Sequence, residues 1–357
     1  MPTARDVARR AGVSVATVSA VLNKNKFVSQ LLADRVEAAI AELGYRPNLV
    51  ARSLKSGRTK TLGILIPNIR DPYWAEVVAI IEEVTRREGF RLLLFDTKED
   101  PTVEEESLHL LAENLAEGAI IVPHSSESAP RVARLQARGT AVVLLARRLP
   151  GLDVDAVVTD NELAGYLGTR HLLGRGYRRI GFLPFPSHAS AGEERLHGYV
   201  RAIEEAGLAV RPELLPESRE SSEASGHDAT ERLLALPAGR PDAFMASNHL
   251  LLVGMLKALR VHGVQVPRDV GVVGFDEYPW TPLMAPPLTV VHQPRPLIGQ
   301  TAASRLIRRV RGEVRGAGEV VCIEPTLIVR ESCGGQERCS RGGLGDGSHL
   351  TPLPEVR

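Results

Sequence analysis

Apolar residues along this chain follow two rhythms, and the change comes near residue 60. Before it, the spacing predicts short amphipathic helices. Thr3-Ala4-Arg5-Asp6 has the form of a capping box, and Val7, Ala8 and Ala11 then line one face. Gly12 suits the left-handed position that ends a helix, and Ser14 caps a second helix running through Leu22. Two short helices around so tight a turn have the form of a helix-turn-helix. A third segment starts near Ser29 and repeats Leu32, Val36, Ala39, Ile40 and Leu43 before Gly44 stops it.

From Thr61 onward, apolar strands alternate with amphipathic helices. The strand-like runs are 62–66, 92–95, 119–122, 142–145, 157–159, 180–183, 243–245 and 270–275. Helical segments separate most of them and often end on glycine, as at Gly89, Gly139, Gly207 and Gly263. This alternation predicts parallel sheets covered by helices on both faces, in two lobes with a cleft where strand carboxyl ends meet. Residues 186–190 and 212–226 read as loops. Residues 334–357 are glycine-rich, lack periodicity and are expected to be disordered, and they hold no leucine heptads.

The second helix gains meaning when read by angle. At about 100° per residue, Val18, Val21 and Leu22 share the core side, leaving Ala16 and Ala20 pointing away with Val15, Thr17 and Ser19 on the flanks. A generic solvent face favours Lys and Glu. Small side chains fit close approach to a major groove, where methyls meet thymine and hydroxyls bond phosphates or base edges. Residues 48–56, between Pro47 and Gly57, allow barely two helical turns, too few to be stable alone. Leu54, flanked by Arg52 and Lys55, suits an apolar wedge in a minor groove.

Charge supports that reading locally and only there. The formal net charge of the chain is +1, yet Arg5, Arg9, Arg10, Lys24, Lys26, Arg35, Arg46, Arg52, Lys55, Arg58 and Lys60 face only Asp6, Asp34, Glu37 and Glu42. A merely solvated basic surface is the plainer alternative. The three cysteines, Cys322, Cys333 and Cys339, have no metal-ligand spacing, so neither a metal nor another cofactor is expected. Sparse thiols, no apolar run near the ~20 residues of a membrane helix and no export-type opening segment predict a cytoplasmic protein.

The segments Asp6-Val7-Ala8, Ala11-Gly12-Val13-Ser14, Thr17-Val18-Ser19, Val21-Leu22-Asn23, Leu43-Gly44-Tyr45-Arg46-Pro47-Asn48 and Ala51-Arg52-Ser53-Leu54 together resemble the headpiece of the LacI/GalR family of bacterial regulators. Asp71-Pro72-Tyr73-Trp74, Thr159-Asp160-Asn161, Arg195-Leu196-His197-Gly198-Tyr199, Ala246-Ser247-Asn248, Gly274-Phe275-Asp276-Glu277 and Pro287-Leu288-Thr289-Val290 extend the resemblance to about residue 333. It implies an all-α helix-turn-helix headpiece (1–47), a hinge helix and linker (48–60), and an α/β, periplasmic-binding-protein-like sensor (61–333) that dimerises. The implied partners are palindromic operator duplex DNA, a second copy of the chain and a small-molecule effector, with no membrane. Thr3, Ser14, Val15, Ala16, Thr17, Ser19, Ala20, Asn23, Ala51, Arg52, Leu54 and Lys55 are the residues assigned to DNA on this basis. Val15, Ala16 and Ala20 fall on base-reading positions that are polar in several members, so the operator sequence does not transfer.

For the cleft, Tyr73 and Trp74 are candidates to stack on a ring, although one of them packing in the first helix is as good a reading. Arg195 suits a bidentate contact to a carboxylate or vicinal hydroxyls, with Asp71 beside the aromatic pair. Asn248 and Asp276 follow strand ends, where amide and carboxylate recognise hydroxyls or else cap a helix. His124 and Arg147, after the third and fourth strands, complete the set. Two positions depart from the family: Ala146 replaces a frequent acid and His249 a frequent aspartate, which suggests a ligand that is negatively charged or smaller. The expected function is a transcriptional repressor governed by a sugar or sugar derivative, with a nucleobase corepressor as the alternative. A transport receptor would carry no basic helix-turn-helix, and no nucleophile elbow, phosphate loop or metal cluster points to an enzyme.

Overall fold

The computed structural model describes residues 2–23, 26–45, 59–113, 116–184, 190–217, 220–237 and 239–334. They belong to two compact units that divide between Lys60 and Thr61. The hinge-helix expectation at 48–56, the loop at 186–189 and the tail from 335 lie outside the described residues.

The first unit is built from α1 (Ala4–Ala11), α2 (Val15–Asn23) and α3 (Gln30–Leu43). The capping box forms: Thr3 Oγ accepts the Asp6 N–H, and Asp6 accepts the Thr3 N–H at 2.9 Å. Those bonds hold the Asp6 carboxyl below its ordinary range. Gly12 and Gly44 end α1 and α3 at φ of 64° and 58°, a left-handed geometry that glycine adopts without a Cβ clash. Val7, Ala8, Ala11, Val18, Val36 and Ala39 form the core, with Val21 and Leu22 packed at its edge. One residue departs from the angular reading. Ala20, expected to face outward, is buried, so the covered side of α2 extends past Val18 to Ala20, whereas Ala16 stays exposed.

The second unit holds a six-stranded and a five-stranded sheet. The first contains β1 (Thr61–Ile66), β2 (Arg91–Asp96), β3 (Gly118–Ile121), β4 (Ala141–Leu145), β5 (Asp155–Thr159) and β10 (Val320–Ile323), in the order β10-β5-β4-β3-β1-β2. All its pairings are parallel, with Ile64 opposite both Leu94 and Ile120. The second sheet has β6 (Ile180–Leu183), β7 (Ala243–Ala246), β8 (Gly271–Phe275), β9 (Thr289–His292) and β11 (Thr326–Ile328), in the order β11-β9-β8-β7-β6, with only β11 antiparallel. The chain therefore crosses between sheets after β5, after β9 and between β10 and β11.

Helices cover both faces of each sheet, which is why the central strands are unbroken apolar runs. On the first sheet, Val77 and Ile81 of α4 (Pro72–Arg87) and Ile298 and Leu306 of α11 (Arg295–Val310) pack on Ile64, Ile120 and Val143. Leu108 and Leu111 of α5 (Pro101–Glu113) and Val132 and Leu135 of α6 (Ala129–Ala137) close the other face. The second sheet is covered by α7 (Asn161–Gly174) and α8 (Ser190–Glu205) on one face and by α9 (Glu223–Leu234) and α10 (His249–Val261) on the other. α7 and α8 lie so close that a Cβ at Gly198 would stand 1.9 Å from the Glu162 carbonyl oxygen.

Two sequence readings change. Residues 212–226 are not one loop: Pro212–Leu214 form a 3-10 turn, and α9 begins at Glu223 because Ser222 caps it. Strands β9, β10 and β11 escaped the pattern, being three or four residues long and, for β10 and β11, half-exposed at sheet edges. Among the described residues no helix is long and apolar enough to cross a membrane.

Candidate functional site

The lobes of the second unit flank an open cleft at the carboxyl ends of their strands, about 740 Å³ with its solvent-filled mouth included. Asp71, Tyr73 and Trp74 form its wall in the first lobe, because Asp71 Oδ1 accepts the Tyr73 N–H at 2.8 Å and so starts α4 there. Both aromatic residues are buried, edge to face at 4.8 Å between centroids. Both also belong to the apolar cluster under α4, so the packing and cavity-wall readings hold together.

Arg195 comes from α8 in the second lobe and is buried. Its Nε donates to Asn161 Oδ1 at 2.9 Å, its Nη1 to the Ser247 carbonyl at 2.5 Å, and its guanidinium lies 4.0 Å over the Phe275 ring. Burial lowers its pKa to about 10, so it stays charged near neutrality. Asn248 is a helix cap: its Oδ1 accepts the Leu251 N–H at 2.8 Å, and its Nδ2 donates to Ser221 Oγ at 2.5 Å. It also lines the cavity. Asp276, held at φ of 67° after β8, accepts Gln293 Nε2 at 2.9 Å, while Gln293 Oε1 accepts Thr159 Oγ1 at 2.8 Å. One glutamine thus ties the ends of β5, β8 and β9 together.

Arg147 reaches the cavity already partnered. It pairs with Glu99 at 3.0 Å and donates to the carbonyls of Pro123 and His124 at 2.9 and 3.2 Å. His124 is the sequence candidate that does not line the cavity; its ring lies 3.7 Å from Glu99, and its N–H donates to the buried Glu104 at 2.6 Å. His249 does line it, with Nε2 3.5 Å from Asp71 Oδ1 across the cleft. Burial dominates both groups: it raises the Asp71 pKa to about 7 and lowers that of His249.

In the first unit, Ser14 Oγ accepts the Thr17 N–H at 3.1 Å and lies 2.9 Å from Thr17 Oγ1, fixing the start of α2. Thr3, Ser14, Val15 and Ala16 are exposed, Thr17 and Ser19 half-buried, and Ala20 buried. Asn23 is placed only by its backbone at the end of α2, and Ala51, Arg52, Leu54 and Lys55 lie outside the described residues. Of the local cations, Arg10 is engaged with Glu42 at 2.6 Å.

Residues 3–48 match the bacterial regulatory proteins of the lacI family, and residues 169–333 match a periplasmic binding protein-like domain. The HTH-type transcriptional repressor PurR of Photobacterium profundum is 34% identical over 334 residues, spanning 93% of this chain and 98% of its own. PurR of Haemophilus influenzae is 32% identical over the same lengths. The chain belongs to the lacI family. Among solved structures, a transcriptional regulator CelR–cellobiose complex has a TM-score of 0.71 at 31% identity, covering 93% of this chain and 100% of that one. The lac repressor dimer bound to operator and the anti-inducer ONPF has a TM-score of 0.82 at 25% identity, covering 94% and 99%.

As a lacI-family protein this chain is a DNA-binding transcriptional repressor with a small-molecule effector. Within this lacI-family cleft, Asn161, Gln293, Ser221 and Glu99 line the cavity although the sequence reading did not single them out. Asn161 lies two residues past the end of a recognised strand, so its position alone was a usable signal. Gln293 follows β9, which was not read as a strand, and Ser221 lay in a stretch read wholly as loop.

Proposed function

We propose that the effector is a neutral, hydroxyl-rich small molecule, a sugar or sugar derivative, held between the lobes of residues 61–333. The observation that carries this is the charge balance of the lining. Glu99 neutralises Arg147, burial holds Asp71 near half-protonation at neutral pH, and one arginine (Arg195) then stands against one carboxylate (Asp276). Among the described residues this lining has no surplus cation for a phosphate or carboxylate, which argues against the anionic ligand that Ala146 and His249 suggested. It is rich in paired donors and acceptors beside aromatic walls, the mixture that ring hydroxyls require. The similarity to a regulator complexed with cellobiose points the same way.

In this reading Asp71, Tyr73, Trp74, Arg147, Arg195, Asn248 and Asp276 contact the effector, and His124 supports Arg147 from behind. Residues 1–47 read the operator through the exposed start of α2, and residues 48–60 carry the hinge. The protein acts by binding, without catalysis, in the cytoplasm where its operator lies. A nucleobase corepressor is the second reading, favoured by the Tyr73–Trp74 pair at the cavity wall.

Selection of operators from random duplex DNA, repeated with neutral sugars, sugar acids, sugar phosphates and nucleobases, tests both. A palindrome lost or gained only with a neutral sugar is the expected result. Response only to an acid or phosphate overturns the charge argument, and response only to a base selects the second reading.

A further inference from the structure

A carboxylate links the first lobe to the buried arginine of the cleft. Glu194, beside Arg195 on α8, receives Arg148 Nη2 on Oε1 at 2.6 Å and Asn161 Nδ2 on Oε2 at 3.0 Å. Asn161 turns its own Oδ1 to Arg195 Nε at 2.9 Å, and Arg195 Nη1 ends on the Ser247 carbonyl. Arg148 follows β4 of the first lobe, and the other four residues belong to the second. A continuous line of hydrogen bonds therefore starts in one lobe and finishes on the guanidinium in the other.

The chemistry of the links fixes their direction. A carboxylate only accepts and a guanidinium only donates, so Asn161 between them has one possible amide orientation. That orientation sets the plane of Arg195, which also lies flat over Phe275. The Arg148 side chain is about half exposed, so its ion pair adds little to stability. What it adds is restraint: with both oxygens engaged, the Glu194 carboxylate stops turning.

We propose that Glu194 is a positioning residue for the cleft, orienting Asn161 and through it Arg195, and that it does so only while Arg148 of the opposite lobe holds its second oxygen. The significance of this rests on the reading of the cleft as the effector site: Arg195 is then presented correctly only when the lobes stand together.

The test uses the full-length protein with 15N-labelled arginine side chains and follows solvent exchange of the Arg195 Nε–H, identified as the signal lost in Arg195→Lys. Glu194→Ala should speed exchange about tenfold or more, since the charge-assisted acceptor behind Asn161 is gone. Arg148→Ala should also speed it several-fold, and Arg148→Lys should restore slow exchange. Arg148 is at the surface, so that variant decides the matter even where Glu194→Ala fails to fold. Unchanged exchange in Arg148→Ala overturns the proposal, as does a wild-type signal too fast to detect. No effector or operator is needed, so this outcome is independent of the operator selection.

Discussion

Asp71 and His249 face each other at 3.5 Å across the cleft, and burial pushes both toward their uncharged forms. Around them stand Asp276, Arg295, Glu99, Glu223 and the Tyr278 ring. Opening the cleft hydrates both groups and returns them toward the ordinary values of 3.8 and 6.5. The raised acid favours the closed cleft at low pH, and that preference fades as pH rises from 3.8 through about 7. The lowered base has the opposite sign: its preference for closure is complete above 6.5 and fades as pH falls below it. In the wild type these partly cancel. His249→Gln should therefore expose an effector affinity that drops as pH climbs toward 7, and Asp71→Asn one that drops as pH falls below 6.5. Calorimetry of effector binding across that range reads both signs, and equal profiles for the two variants would refute the assignment. Arg195 allows a simpler expectation. Lysine lacks the planar fork that meets Asn161, Ser247 and Phe275 together, so Arg195→Lys should weaken effector binding roughly 10- to 100-fold while leaving effector-free operator affinity unchanged. A mobility-shift titration with and without effector separates the two quantities.

Asp155 decides how β5 and α11 hold together. Its carboxylate is buried; burial alone would raise its pKa, but Arg309, the Glu319 N–H and Arg305 outweigh that and hold it at about 2. The arginines approach within 2.7 and 3.2 Å. Asp155→Asn removes the charge that both guanidinium groups share, while Glu319 still engages Arg305 and the Gly316 and Ala317 carbonyls still engage Arg309. The second unit should lose roughly 1.5–3 kcal/mol, read as an earlier denaturant midpoint. The native pair contributes fully above pH 3.8 and its contribution disappears as pH falls toward 2. Elements also mark how far the sequence was legible. Strands such as β1 and β8, buried on both faces, are uninterrupted apolar runs and announce themselves. β9 was readable only as a family segment, because its apolar run is just Val290-Val291 between Thr289 and His292, and β11 pairs antiparallel with it through contacts distant in sequence. The cleft followed the same rule. Some residues just after recognised strands, such as Asp276, were found and others, such as Asn161, were passed over, whereas Gln293 and Ser221 depended on unrecognised elements. Asp155 itself gave no signal, because its partners lie 150 and 154 residues away.

At the scale of the molecule, the effector and operator sites communicate only if occupancy of one changes the free energy of the other. In the proposed function that coupling runs through residues 48–60, for which the sequence predicts a helix of barely two turns that needs something to hold it. A marginal element needs little persuasion: coupling of about 1–3 kcal/mol changes operator affinity roughly 5- to 150-fold. Thermodynamic linkage then demands reciprocity, so operator duplex must shift effector affinity by the same factor as effector shifts operator affinity. Both halves of that cycle are accessible, one by operator titration at saturating effector and the other by calorimetry with and without duplex. Leu54→Ala tests where the coupling runs. If Leu54 wedges into the minor groove, the variant should bend its operator less and bind it more weakly, yet retain full effector affinity in the absence of DNA. Its two coupling factors should still equal each other while both fall toward one. Unaltered bending in a circular-permutation assay would remove Leu54 from the route. Wild-type coupling with normal bending would then place the link in the remaining residues of the hinge.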